Sequence, residues 1–189
     1  METQVLIRAV AGLLCWGSCH AESAAPVLNV CLDYGCDKHR AVRPDSAAWK
    51  QVKTLLSDPA SPAAERRAAA RALGLLEHSI GQQTGTHADL PGNSADHGRI
   101  GQLDCIAEST NSDTYLRAMQ QAGLLRHHRV GRRQVRRPLL FDTHWTAVLE
   151  EAASGKSYAM DSWFGANGDP ADIIALDDWR RGASPENAP

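Results

Sequence analysis

Cys105, His144 and Asp161 are the residues whose types and order fit acyl-transfer chemistry. Cys105 lies in QLDCIAESTNSDTYLRAMQQAG, Gln102 to Gly123, at what reads as the first turn of a helix that stops at Gly123. There the helix dipole and unsatisfied backbone N–H groups favour a thiolate. Such a cysteine becomes a nucleophile only when a histidine and an orienting side chain reach it. In the strand sequence THWTAVLEE, His144 shares a face with Thr146 and Val148; in KSYAMDSW, Asp161 shares one with Ala159 and Trp163. A hairpin turning about the Ala152–Ala153 bond sets His144 directly opposite Asp161, with Cβ atoms about 5 Å apart. The carboxylate then accepts one imidazole N–H and fixes the tautomer, and the other ring nitrogen faces Cys105. A turn centred on Ser154-Gly155 gives a different register. The backbone N–H of Cys105 is the natural first oxyanion donor. Gln102 either supplies a second donor or braces the loop. Trp145 and Trp163 either wall the site or fill the core.

These side chains depend on elements that the sequence outlines. Val27 to Val42 reads as a short hairpin. A helix follows, capped by Asp45 or Ser46, with Trp49, Val52, Leu55 and Leu56 along one side. Asp58 to Pro62 breaks it. A second helix starts with Ser61 as cap and Pro62 at its first position, and buries Ala69, Leu73, Leu76 and Ile80. From Gln82 to Leu103 the chain is polar and without period, a long loop of the kind that often carries function. The helix from Cys105 presents Cys105, Ser109, Ser112, Leu116 and Met119 on one face, and its TNSD run allows a break near Asn111. LLRHHRV, RQVRR, THWTAVLEE and KSYAMDSWF then read as strands, and ADIIALDDW as a short apolar piece. The fold class is α+β: an N-terminal hairpin and helices, then a nucleophile helix packed on an antiparallel β-sheet. A single domain is expected over 22–182, with a disordered tail at 183–189.

The first residues read as an export signal. METQVLIR carries one arginine, AVAGLLCWG is a short apolar run and SCHAES ends in small residues, which places cleavage after Ala21. Residues 1–21 are then a signal peptide, and the mature protein is periplasmic or secreted. The apolar run is too short to span a membrane. Cleavage leaves Cys31, Cys36 and Cys105, an odd count that in an oxidising compartment implies one disulfide and one free thiol. Cys31 and Cys36 flank the turn-like Leu-Asp-Tyr-Gly and pair as a local disulfide; the competing C-x4-C zinc half-site lacks a second half. Glu77, His78, His87, Asp89, Asp96 and His97 are spaced too irregularly to assign a metal. The net charge of −2 gives no global push toward nucleic acid, and no nucleic-acid partner is expected. RHHRVGRRQVRR is a basic strip, read as a solvated hairpin or, less favoured, as a binding surface for phosphate, acidic glycans or nucleic acid.

A cysteine at a helix start, a later strand bearing His-Trp and a next strand bearing Asp together resemble the core of the transglutaminase-like (papain-related) superfamily. Within it the spacing is most similar to the bacterial transglutaminase-like cysteine proteases, which are periplasmic. The resemblance runs from Gln102 to Trp163, about a third of the chain. It implies Cys105 as nucleophile, His144 as general base and acid, and Asp161 as orienter. The implied reaction is thioester formation with an amide, followed by acyl transfer to water or an amine. The implied partner is a protein or peptide of the cell envelope. No cofactor is expected: the acidic pair flanking the cysteine in those proteases is reduced here to Asp104, so their calcium dependence does not carry over. Arylamine N-acetyltransferases share the Cys-His-Asp logic, and DSWFG resembles the segment after their aspartate, but the chain before Cys105 lacks their Arg-Gly-Gly. The alternative reading is a non-catalytic envelope binding module that uses the arginine-rich hairpin.

Overall fold

A computed structural model describes residues 24–94, 98–137 and 143–185. The expected signal peptide, most of the tail, and Asp96 and His97 lie outside them. The chain opens with an antiparallel hairpin, β1 (Leu28–Cys31) and β2 (His39–Val42), closed by the Cys31–Cys36 disulfide. Two helices follow, α1 (Ser46–Leu55) and α2 (Pro62–Thr84). The Ser61 side chain caps α2 by accepting from Ala64 N, and Gly85 ends it in the left-handed conformation. Gly74, inside α2, is required by a close approach: a Cβ there would lie 2.5 Å from the carbonyl oxygen of Gly168.

The helix that begins at Cys105, α3 (Cys105–Gln121), is continuous, so the expected break near Asn111 does not occur. Asn111 is buried with both ends of its amide satisfied: its oxygen accepts from Cys31 N at 2.7 Å and its nitrogen donates to Cys31 O at 3.2 Å. A residue that would otherwise compete with the helix is thus spent on docking the hairpin against it. The disulfide sulfurs pack there too, against Leu103 and Ala107.

The main sheet is antiparallel, with β3 (His128–Val130), β5 (His144–Glu151), β6 (Ser157–Asp161) and β7 (Asp172–Ala175) in that order. β4 (Gln134–Arg136) also pairs with β5, so β3 and β4 share one partner. A short helix, α4 (Leu176–Arg180), closes the described chain. The apolar piece ADIIALDDW therefore divides into β7 and α4. Alternation along the strands gives the sheet two apolar faces. Ala147, Leu149 and Met160 join α1, α2 and α3 in the main core, whereas Val148 and Ala159 meet Leu176 and Trp179 on the opposite side. Among the described residues no helix is long and apolar enough to cross a membrane.

One buried charge ties the helical layer to the sheet. Glu65 of α2 is fully buried and accepts from Arg126 N (2.7 Å), His127 N (3.0 Å) and His128 Nδ1 (2.8 Å). Arg66 in turn reaches His128 Nε2 and Glu151, and its guanidinium lies 3.7 Å from the centre of the Tyr158 ring. A proton on Nδ1 of a neutral His128 satisfies both neighbours, donating to Glu65 and accepting from Arg66. Glu65→Ala strands three donors in the interior and is expected to cost about 3–5 kcal/mol. Urea denaturation checks this; a loss under about 1 kcal/mol would contradict the anchoring role.

Candidate active site

Cys105 stands at the first position of α3, and the Asp104 side chain caps the helix by accepting from Ala107 N at 2.9 Å. The thiol docks on the backbone to either side of His144. It donates to Thr143 O at 3.8 Å and accepts from the N–H of Trp145. His144 opens β5, buried, with Nε2 2.7 Å from Asp161 Oδ2. The same carboxylate oxygen accepts from Trp179 Nε1 at 2.8 Å. An ionised carboxylate only accepts, so Nε2 carries the proton and Nδ1 presents its lone pair. Nδ1 is buried and has no hydrogen-bond partner among the described residues.

The His144–Asp161 contact occurs in a register different from the expected one. Ala147 lies opposite Met160 and Leu149 opposite Tyr158, a displacement of two residues from a hairpin turning at Ala152–Ala153. Gly155, at φ 70, and the bond from its N–H to Glu151 O shape a turn one residue further along. A shift of two preserves the face of every side chain. His144 therefore reaches Asp161 diagonally rather than directly across.

The expected thiolate is also corrected. Burial pushes the Cys105 thiol up to about 11; the Trp145 N–H works against this, and the charges of Asp104 and Asp161 reinforce it. Desolvation outweighs the helix terminus, and the resting group is a neutral thiol. Among the described residues, Gln102 is committed to the loop. Its amide nitrogen donates to Ala88 O at 2.5 Å, and its oxygen accepts from Leu90 N and the Asn93 amide. Trp163 flanks the imidazole with ring centroids 4.8 Å apart, and its indole Nε1 is buried without a partner among the described residues. Trp145 is half-buried, with the Arg133 guanidinium 5.2 Å from its ring centre.

Trp179 and Arg136 belong to this assembly although nothing in their sequence context marks them. Arg136 is buried opposite His144 in the β4–β5 register and donates to Trp179 O (2.8 Å) and Ala183 O (2.6 Å). It fixes α4, and α4 delivers the indole to Asp161. Of the other arginines in the basic strip, Arg126 pairs with Asp58 and Arg129 with Glu150.

A second group of ionisable side chains lies behind the first turn of α3. Glu77, Glu108, Thr86, Asn111, Tyr115 and Asn167 line a polar cavity of about 10 Å³. Asp89 adjoins it and accepts from Leu103 N, which fixes the approach to Cys105. No group of three or more His, Cys, Asp or Glu with metal-ligating geometry occurs among the described residues.

No protein-family model, no curated protein and no solved structure matches this chain. What defines the site is its own geometry.

Proposed function

We propose that the chain is an exported thiol enzyme with a transglutaminase-like core, cleaving or transferring at amide bonds of a protein or envelope peptide. The single observation that carries this reading is the thiol held on the backbone flanking His144, whose ring is fixed by Asp161 through Nε2 and keeps an unpartnered Nδ1. The reading is also supported by the Cys31–Cys36 disulfide, which fits an oxidising compartment and leaves Cys105 as the unpaired thiol among the described cysteines.

In this reading Sγ attacks the amide carbonyl as its proton passes to His144 Nδ1. A high thiol pKa makes that transfer part of the attack rather than a prior step. The N–H of Cys105 lies at the helix start, outside the intrahelical ladder, and serves as one oxyanion donor. The partnerless indole of Trp163 is the candidate for a second donor. Collapse breaks the C–N bond, and the proton on Nδ1 leaves with the amine. Water or a second amine then gives its proton to Nδ1 while attacking the thioester, and collapse returns the proton to sulfur.

The test is a peptide-amide library turned over by wild type and by Cys105→Ala. Cleavage or amine incorporation that disappears in the variant supports the proposal. Equal turnover by both proteins, or no turnover of any peptide by the wild type, rejects it.

A further inference from the structure

The guanidinium of Arg133 stands beside the nucleophile without a carboxylate partner among the described residues. Its Nη1 donates to Ile106 O (3.3 Å) and Ser109 Oγ (3.1 Å), both within the first turns of α3. The plane lies over Trp145, whose backbone N–H supports the Cys105 thiol. One side of the guanidinium is therefore spent on the helix that carries Cys105, and its remaining N–H donors have no hydrogen-bond partner among the described residues. Val135 is opposite Trp145 in the β4–β5 register and is partly exposed, so an apolar step adjoins the cation. The charges that push the thiol up are both negative: Asp104 at the helix cap and Asp161 beside His144. A half-buried cation fixed by main-chain and side-chain bonds to the first turns of α3 is suited to take an anion in forked hydrogen bonds.

We propose that Arg133 is a specificity-determining residue that binds a carboxylate of the substrate adjacent to the scissile amide, with Trp145 and Val135 covering the intervening apolar atoms. The inference rests on the thiol-enzyme reading and narrows its substrate class to amides flanked by a carboxylate. That carboxylate belongs either to an acidic side chain or to a free chain terminus.

Paired alkylation of Cys105 tests the subsite without a substrate. Iodoacetate and iodoacetamide deliver the same carbon to sulfur, one with a carboxylate and one without. Their rate ratio at Cys105, divided by the ratio for the unfolded chain, is expected to favour iodoacetate about threefold or more at low salt. The preference should shrink as ionic strength rises, vanish in Arg133→Gln and persist in part in Arg133→Lys. A ratio equal to that of the unfolded chain, or one that Arg133→Gln leaves unchanged, overturns the carboxylate subsite. Failure of the thiol-enzyme reading has a separate signature: rates with both reagents would be indifferent to His144→Ala. Absence of labelling by either reagent overturns both, because the subsite must open onto the thiol. Matched peptides then separate the two sources. A glutamate-to-glutamine change that raises KM identifies a side-chain carboxylate, and C-terminal amidation that raises KM identifies a terminal one. Peptides turned over with KM indifferent to both changes overturn the proposal.

Discussion

A His144→Ala protein is expected to lose about a thousandfold in the proposed amide turnover, with near-wild-type substrate binding. The imidazole nitrogen left without a partner is Nδ1, and the Cys105 thiol is neutral at rest, so in the proposed mechanism Nδ1 takes its proton. The Asp161 series is expected to divide in an unusual way. In a triad whose aspartate is replaced by asparagine, an inverted tautomer costs about 10⁴-fold. Here both donors, His144 Nε2 and Trp179 Nε1, converge on one oxygen. An asparagine that turns its carbonyl oxygen toward both of them keeps the tautomer and loses only the negative charge that stabilises the imidazolium. Asp161→Asn should therefore lose about a hundredfold, and Asp161→Ala clearly more. Steady-state kinetics on the peptide found in the library screen measures this. An Asn variant as inactive as the Ala variant would show that Trp179 does not fix the orientation of the group.

The thermal midpoint is expected to fall by about 10 °C between pH 5.5 and pH 8.5. Burial pushes the Glu77 carboxyl from 4.5 up to about 8, despite hydrogen bonds from Ser162 and Gly168. Burial, and then the charge of Glu77, also push Glu108 well up; Asp89 rises through burial, against the pull of its hydrogen bonds. The native state thus keeps protons that the unfolded chain releases above its ordinary carboxylate range. Where the native state binds more protons, stability falls with rising pH. The Glu77 contribution is complete below about pH 4.5 and is lost as pH rises through about 8. A shift of that size corresponds to about 5 kcal/mol in full and about 3 kcal/mol across this pH range, and a chain of this length moves by about 2–4 °C per kcal/mol. Glu77→Gln removes the titrating group, so it should flatten the profile and melt above wild type at pH 8.5. Melts followed by circular dichroism at several pH values decide the matter; a midpoint flat or rising across this range contradicts the assignment.

The local signals for the site were strong in the sequence, and the tertiary ones were weak. The cap, start and stop of α3 follow from Asp104 and Gly123, and the two-residue period of β5 and β6 sets the faces of His144 and Asp161. Period fixes a face but not a register, and for that reason the two-residue displacement of the β5–β6 hairpin left the His144–Asp161 contact intact. Gln102 illustrates the opposite case. Position beside a cysteine says nothing about where an amide points, and the long loop needed that amide for its own backbone. Trp179 and Arg136 act across 18 and 43 residues of chain, distances over which no periodic pattern operates. Glu65 reads as one more charge in an alanine-rich helix, and only packing shows that it organises a strand 63 residues away.

The Arg136 clamp makes the proposed site depend on the last described helix. Cys105, His144 and Asp161 all precede α4, so a chain cut between β7 and α4 would retain every group proposed to react. It would nevertheless lose the indole that shares the Asp161 oxygen, the carbonyls that accept from buried Arg136, and the apolar cover over Val148 and Ala159. Damage remote in sequence from the thiol would thus be expected to undo the proposed site.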